Sequence, residues 1–218
     1  MALVVAGTGT DVGKTLASAL IMAKYARHGA RYLKPVQTGD TSDRAVVADL
    51  AGLQQDQALS EIYSFSTAAS PHYAAELANT IIEPHHLVQQ IKNSGRALVV
   101  ELAGGLMVPL TRNYTNLDLL RDLRFPVVLV ASTGLGTINH SLLSHAALTQ
   151  AGLSVCGFIF VGKAGPLKED NIRTVLQLAG AGYLGELLLN ESGHLDAAAM
   201  RQLAAGFDAA ETLRQYLA

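Results

Sequence analysis

Runs rich in apolar and β-forming residues recur along the chain at Leu3 to Ala6, Arg31 to Leu33, Ala97 to Leu102, Val127 to Ala131 and Val155 to Val161, with a weaker one at Tyr183 to Leu187. They are continuous rather than alternating. A strand with one wet face alternates apolar and polar residues, whereas a continuous run marks a strand covered on both faces, as in parallel sheets. Helix-forming stretches separate the runs: Thr15 to His28, Ala74 to Asn79, Pro84 to Asn93, Tyr114 to Asp122, Asn139 to Gln150, Leu167 to Leu178 and Leu195 to Leu217, the last with a break expected near Gly206. This alternation predicts an α/β fold with a mostly parallel central sheet and helices on both faces. Ligands then collect at the carboxyl ends of the strands. Two polar stretches, Gln37 to Ser42 and Gln54 to Ser70, interrupt the alternation, and loops so placed are common carriers of binding residues.

Composition narrows the picture. With 218 residues, half of them apolar, the chain suits one domain over residues 1–218 better than two small ones. The formal net charge is −2, with acids and bases intermixed, which argues against a nucleic acid or an anionic membrane as partner. Cys156 is the only cysteine and lies in an apolar run, so no internal disulfide forms and a Cys-rich metal site is implausible. No segment reaches the ~20 apolar residues that span a bilayer. A cytoplasmic protein is expected.

The chemistry begins between the first strand and the first helix. Thr8-Gly9-Thr10-Asp11-Val12-Gly13-Lys14-Thr15 fits the phosphate-loop rule GxxxxGK[ST] except at its first position, where Thr8 stands between Gly7 and Gly9. In such a turn successive backbone N–H groups and the helix N-terminus converge on a polyanion. Lys14 then contacts the outer phosphates and the Thr15 hydroxyl holds Mg2+.

Further features end a strand or open a helix at the same expected edge. Lys34-Pro35 closes the second strand; if Lys34 sits near Lys14, two ammonium groups ~4 Å apart repel by about 4 kcal/mol at an effective dielectric of ~20, and an anion is then expected between them. On its own, Lys34 reads equally as a solvated strand-end lysine. Glu101 closes the strand from Ala97 and precedes Ala103-Gly104-Gly105, the place for a Mg2+ ligand; capping or a surface ion pair is its plainer alternative. Asp43 is a second candidate ligand, although Ser42-Asp43 also reads as a helix N-terminus. Ser70-Pro71-His72 reads as a helix start. Gly134 to His140 follows a strand and opens a helix whose free N–H groups suit a carboxylate, or it is a simple glycine-rich turn.

Together these segments resemble the dethiobiotin synthetase family: GTGTDVGKT from Gly7 to Thr15, LKPVQTG from Leu33 to Gly39, the SPH triplet from Ser70, VELAGGLMVPL from Val100 to Leu110 and GLGTINHSLL from Gly134 to Leu143. The family sets its first loop glycine one residue further from the Gly-Lys-Thr, and Gly7 supplies it. The resemblance implies a P-loop NTPase fold and an ATP- and Mg2+-dependent ring closure on 7,8-diaminononanoate with CO2, through a carbamate and a carbamic-phosphoric anhydride. It implies metal ligands at Thr15, Asp43 and Glu101, a catalytic lysine at Lys34 beside Lys14, and Thr10 and Asp11 near the diamine. Thr38 matches a substrate-contacting hydroxyl. The nucleotide falls to Asp11, Val12, Gly13, Lys14, Thr15 and Leu16, with Asp43, Glu101, Ala103, Gly104, Val161 and Gly162. The substrate carboxylate is held across a homodimer by helix N-terminal amides, here at Gly136, Thr137, Ile138 and Asn139.

This chain departs from the family pattern at three places. Leu102 replaces a frequent glycine after the metal-site glutamate; Val161-Gly162 occupies the place of an adenine-reading asparagine; and Gly185-Glu186-Leu187-Leu188 lacks the proline of Gly-Glu-Ile-Pro. Loss of the base-reading side chain implies relaxed choice among nucleoside triphosphates. The rival class is a nucleotide-switch or partitioning ATPase acting through binding partners, but its second lysine, five residues before Lys14, is here Gly9. No Asn-Lys-x-Asp guanine signature occurs.

Overall fold

The computed structural model describes residues 1–189 and 195–217. Strands β1 (Ala2–Gly7), β2 (Arg31–Leu33), β5 (Leu98–Gly105), β8 (Val127–Ser132), β9 (Val155–Lys163) and β10 (Tyr183–Leu189) form a six-stranded sheet in the order β10-β9-β8-β1-β5-β2. Every pairing in it is parallel. Two short pairs stand outside it: β3 (Val36–Thr38) with β4 (Tyr63–Phe65), and β6 (Pro109–Thr111) with β7 (Tyr114–Thr115).

The helices are α1 (Lys14–Tyr25), α2 (Asp43–Ala51), α3 (Pro71–Leu77), α4 (Pro84–Asn93), α5 (Asn116–Leu123), α6 (Thr137–Gln150), α7 (Lys168–Ala179), α8 (Ala197–Gly206) and α9 (Arg214–Leu217). Strand residues pointing one way, such as Val4, Val100, Leu129 and Phe160, share a core with α3 to α7. Those pointing the other way, Leu3, Val5, Val99, Val130 and Ile159, share a second core with α1, α2, α8 and α9. Two buried faces explain why the strands read as continuous apolar runs.

Several boundaries differ from the sequence pattern. The first helix begins at Lys14 and ends at Tyr25, where a 3-10 turn over Ala26–His28 runs into Gly29. Pro71, whose missing N–H costs nothing at the first helical position, opens α3 after Ser70 as the Ser-Pro-His triplet indicates, three residues ahead of the helix-forming stretch from Ala74. Tyr114 and Thr115 are strand and N-cap rather than helix, because the Thr115 hydroxyl and the Asp118 carboxylate form a capping box that fixes the start of α5. The expected break near Gly206 is present, and Asp208 fills it. At φ 46° its buried carboxylate accepts from the Tyr25 hydroxyl at 2.7 Å and from the Thr212 and Leu213 N–H groups at 2.8 Å, tying the C-terminal segment to α1.

Candidate active site

The loop after β1 closes so tightly that Gly7 has no room for a side chain: a Cβ there would lie 2.7 Å from the Gly9 carbonyl oxygen and 2.9 Å from Val12. Thr8 bears no such constraint, and the displaced glycine of the motif follows from this turn. Asp11 and Gly13 both adopt positive φ, 56° and 91°, which curls successive N–H groups into an anion-binding concavity at the start of α1. A Cβ on Gly13 would run into Val161 at the end of β9.

The loop floors a cavity of about 570 Å³ at the carboxyl ends of the strands. The cavity brings together the expected loop residues Thr10, Asp11, Val12, Gly13, Lys14, Thr15 and Leu16 with Lys34, Thr38 and Asp43. Glu101, Ala103, Gly104, Val161 and Gly162 complete the expected set on its wall. Gln37 and Thr41, from the polar stretch Gln37 to Ser42, also line it, as do Ser132 and Leu189, which no charge or motif position marks. Gly136, Thr137, Ile138 and Asn139 do not reach this cavity. They form the N-terminus of α6, where the Thr137 hydroxyl donates to the Ser132 carbonyl at 2.6 Å while Gly136 and Asn139 face outward.

Charge is concentrated around Lys34. Its buried ammonium lies 2.7 Å from Asp43 Oδ2 and 2.9 Å from Glu101 Oε1. The Thr15 hydroxyl meets the same two carboxylates, at 2.9 Å from Asp43 Oδ1 and 3.1 Å from Glu101 Oε1. The Lys14 ammonium donates to the Gly9 carbonyl at 2.9 Å. The anions beside Lys34 are the protein's own carboxylates. Burial and then the neighbouring Lys34 lower the Lys14 pKa to about 8. Burial also acts to lower that of Lys34, but Glu101 and Asp43 outweigh it and hold the group above the ordinary lysine value. Asp43 is the first residue of α2, with Ser42 as N-cap through its hydroxyl, which is the helix start that Ser42-Asp43 indicates.

Behind Glu101, the Tyr32 hydroxyl donates to Oε2 at 2.9 Å. Asn116 donates to the carbonyls of Ala103 and Gly105 at 2.7 and 2.9 Å, securing the turn that follows the glutamate. A tyrosine inside a strand reads as core and an asparagine opening a helix as a capping residue, so neither announces itself in sequence. Leu102 points into the opposite core and is buried there, leaving Glu101 on the α1 side of the sheet. Glu186, in the segment lacking the family proline, accepts from Lys168 at 2.9 Å.

The donor set fits a hard divalent cation. Two carboxylates and a hydroxyl converge, all oxygen, and the site already accommodates one positive charge, that of Lys34. No helix among the described residues is long and apolar enough to cross a membrane.

A family model described as an AAA domain matches residues 1–192. An ATP-dependent dethiobiotin synthetase of Leptospira interrogans is 42% identical over 194 residues, 88% of each chain. One from Nitrobacter hamburgensis is 45% identical over 190 residues, covering 85% of this chain and 84% of that one. Among solved structures, a ParA family ATPase from Chlorobium tepidum superposes with a TM-score of 0.56 at 11% identity, covering 99% of this chain and 95% of the other. That likeness is one of fold, and it establishes the P-loop NTPase architecture expected from the phosphate loop. The sequence identities reach further, and with them the chain belongs to the ATP-dependent dethiobiotin synthetase family, a family of ligases.

Proposed function

We propose that residues 1–218 act as one domain that closes the ureido ring of dethiobiotin from 7,8-diaminononanoate and CO2, using ATP with Mg2+ and releasing ADP and phosphate. The observation that carries this reading is the buried Lys34 ammonium, held by two carboxylates in a cavity floored by a phosphate loop. An enzyme that only hydrolyses nucleotide has no evident need of a second buried cation there.

In this reading one substrate amine is carbamated by CO2. A carbamate oxygen attacks the γ-phosphorus, ADP leaves, and the second amine displaces phosphate from the anhydride to close the ring. Each anionic partner must approach another, so fixed positive charge is the main catalytic requirement. Lys14 meets the outer phosphates from the start of α1, and Lys34 faces the carbamate and the transferred phosphoryl group. Thr15, Asp43 and Glu101 would hold Mg2+, which neutralises phosphate charge when bound. Thr10, Asp11 and Thr38 border the diamine.

The amides of Gly136 to Asn139 stand apart from the cavity of their own chain, and in this reading they serve a partner subunit by binding the substrate carboxylate in a homodimer. The base lies toward Val161 and Gly162, which stand in the place of the family's adenine-reading asparagine, and other triphosphates are accepted beside ATP. The setting is cytoplasmic. Incubation with diaminononanoate, bicarbonate, Mg2+ and ATP tests the reading: dethiobiotin and phosphate appear together, and phosphate without dethiobiotin refutes it.

A further inference from the structure

Glu101 has no exposed surface, and its two oxygens serve different partners. Oε1 accepts from the Thr15 hydroxyl and the Lys34 ammonium, which share the cavity with it. Oε2 accepts from the Tyr32 hydroxyl. Tyr32 is fully buried, in register with Val99 of β5. Its backbone is fixed on the far side, the N–H donating to the Gln57 carbonyl at 2.7 Å and the carbonyl accepting from the Leu59 N–H at 2.9 Å. The ring is packed in the core shared with α1 and α2, which leaves it no open space to swing into. An ionised carboxylate only accepts hydrogen bonds, so the single phenolic hydrogen is committed to Oε2.

We propose that Tyr32 is a positioning residue for the cation site: by holding Oε2 it turns Oε1 toward the cavity and disfavours binding of a divalent ion through both oxygens. The inference rests on the reading of Glu101 as a cation ligand. Mg2+ demands a small, near-ideal octahedron that the narrow bite of a two-oxygen carboxylate distorts, whereas Ca2+ accepts such a bite in a larger, more flexible shell. A glutamate with one arm tied therefore favours the smaller ion, and releasing that arm relaxes the preference.

Tyr32→Phe keeps the ring and removes only the hydroxyl. Calorimetric titration of Mg2+ and of Ca2+ into the full chain, saturated with a non-hydrolysable ATP analogue, reads both affinities without turnover. Mg2+ affinity falls about tenfold or more while Ca2+ affinity moves by less than about twofold, within the range known for outer-shell substitutions at metal sites. Tyr32→Leu, which removes ring and hydroxyl together, shows the same fall in the Mg2+ to Ca2+ ratio. A merely structural tyrosine lowers the melting temperature and leaves that ratio native, which overturns the proposal. Glu101→Ala separates the two levels of the argument. If it binds Mg2+ like the native chain, the cation assignment falls and the role of Tyr32 with it. If it loses Mg2+ while both Tyr32 variants keep the native ratio, the positioning role alone is overturned.

Discussion

Replacing Lys34 by glutamine leaves the Asp43 and Glu101 carboxylates facing each other without their shared cation. At 2.7 and 2.9 Å and an effective dielectric of ~20, each contact carries about 6 kcal/mol of gross attraction. Much of that is offset by desolvation, since the ammonium and Glu101 are both buried. Removing one partner of such a group costs about 3–5 kcal/mol. Against a total stability on the order of 5–15 kcal/mol this is a large loss, equivalent to about 10 °C in melting temperature for a chain of this size. The Lys34 pKa is raised above its unfolded value, so its contribution is fully present below the ordinary lysine pKa and is lost only as pH rises through the folded value. The difference between native and Lys34→Gln protein therefore stays level on that account through neutral pH. Urea unfolding without nucleotide or metal, at neutral pH, measures it directly. Mg2+ then stabilises the variant more than the native chain, because no ammonium competes for the same oxygens. Dethiobiotin formation falls by about 10²–10³-fold or more, as expected for loss of a charge that stabilises a transition state. A variant within about 1 kcal/mol of native stability refutes the energetic reasoning, because that is the range of an exposed pair. One with near-native turnover refutes the catalytic role of the charge.

Gly13→Ala combines a strained φ with a collision against Val161, and equilibrium binding of a fluorescent ATP analogue weakens at least about tenfold, the equivalent of 1.4 kcal/mol. Turnover with ATP, GTP and CTP differs by less than about tenfold, consistent with the loss of one hydrogen-bonding side chain worth about 1–3 kcal/mol; strict preference for ATP contradicts the account of the base site. Asp208→Ala removes the acceptor of the Tyr25 hydroxyl and of two N–H groups, and urea unfolding records a loss of about 2–4 kcal/mol while nucleotide affinity stays native.

The central strands and the phosphate loop were legible because burial on both faces leaves an unbroken apolar run and because Gly-Lys-Thr has a fixed place between strand and helix. Their ends were not. β5 continues through Ala103 to Gly105 and β9 through Gly162 and Lys163, since parallel pairing, Gly7 with Gly105 and Leu189 with Lys163, carries on past the last apolar residue. The pair β3 and β4 escaped notice because its three-residue strands find each other across a long segment, and only tertiary contact makes them strands. Within the site, charge and motif exposed Lys14, Thr15, Lys34, Asp43 and Glu101. Tyr32 and Asn116 act through hydrogen bonds to residues on other elements, which no local pattern records.

The order of the sheet also bears on how the molecule comes to exist. β1 lies between β5 and β8, neither its neighbour in sequence, and the contacts that Glu101 makes with Thr15 and Lys34 join residues 86 and 67 positions apart. Such contacts return free energy only after long loops have closed, so they form slowly and late, after the helices have local reasons to exist. Thr15, Lys34 and Glu101 meet only when β1, β2 and β5 are aligned. Recovery of ATP-analogue binding during refolding would thus report on the finished sheet.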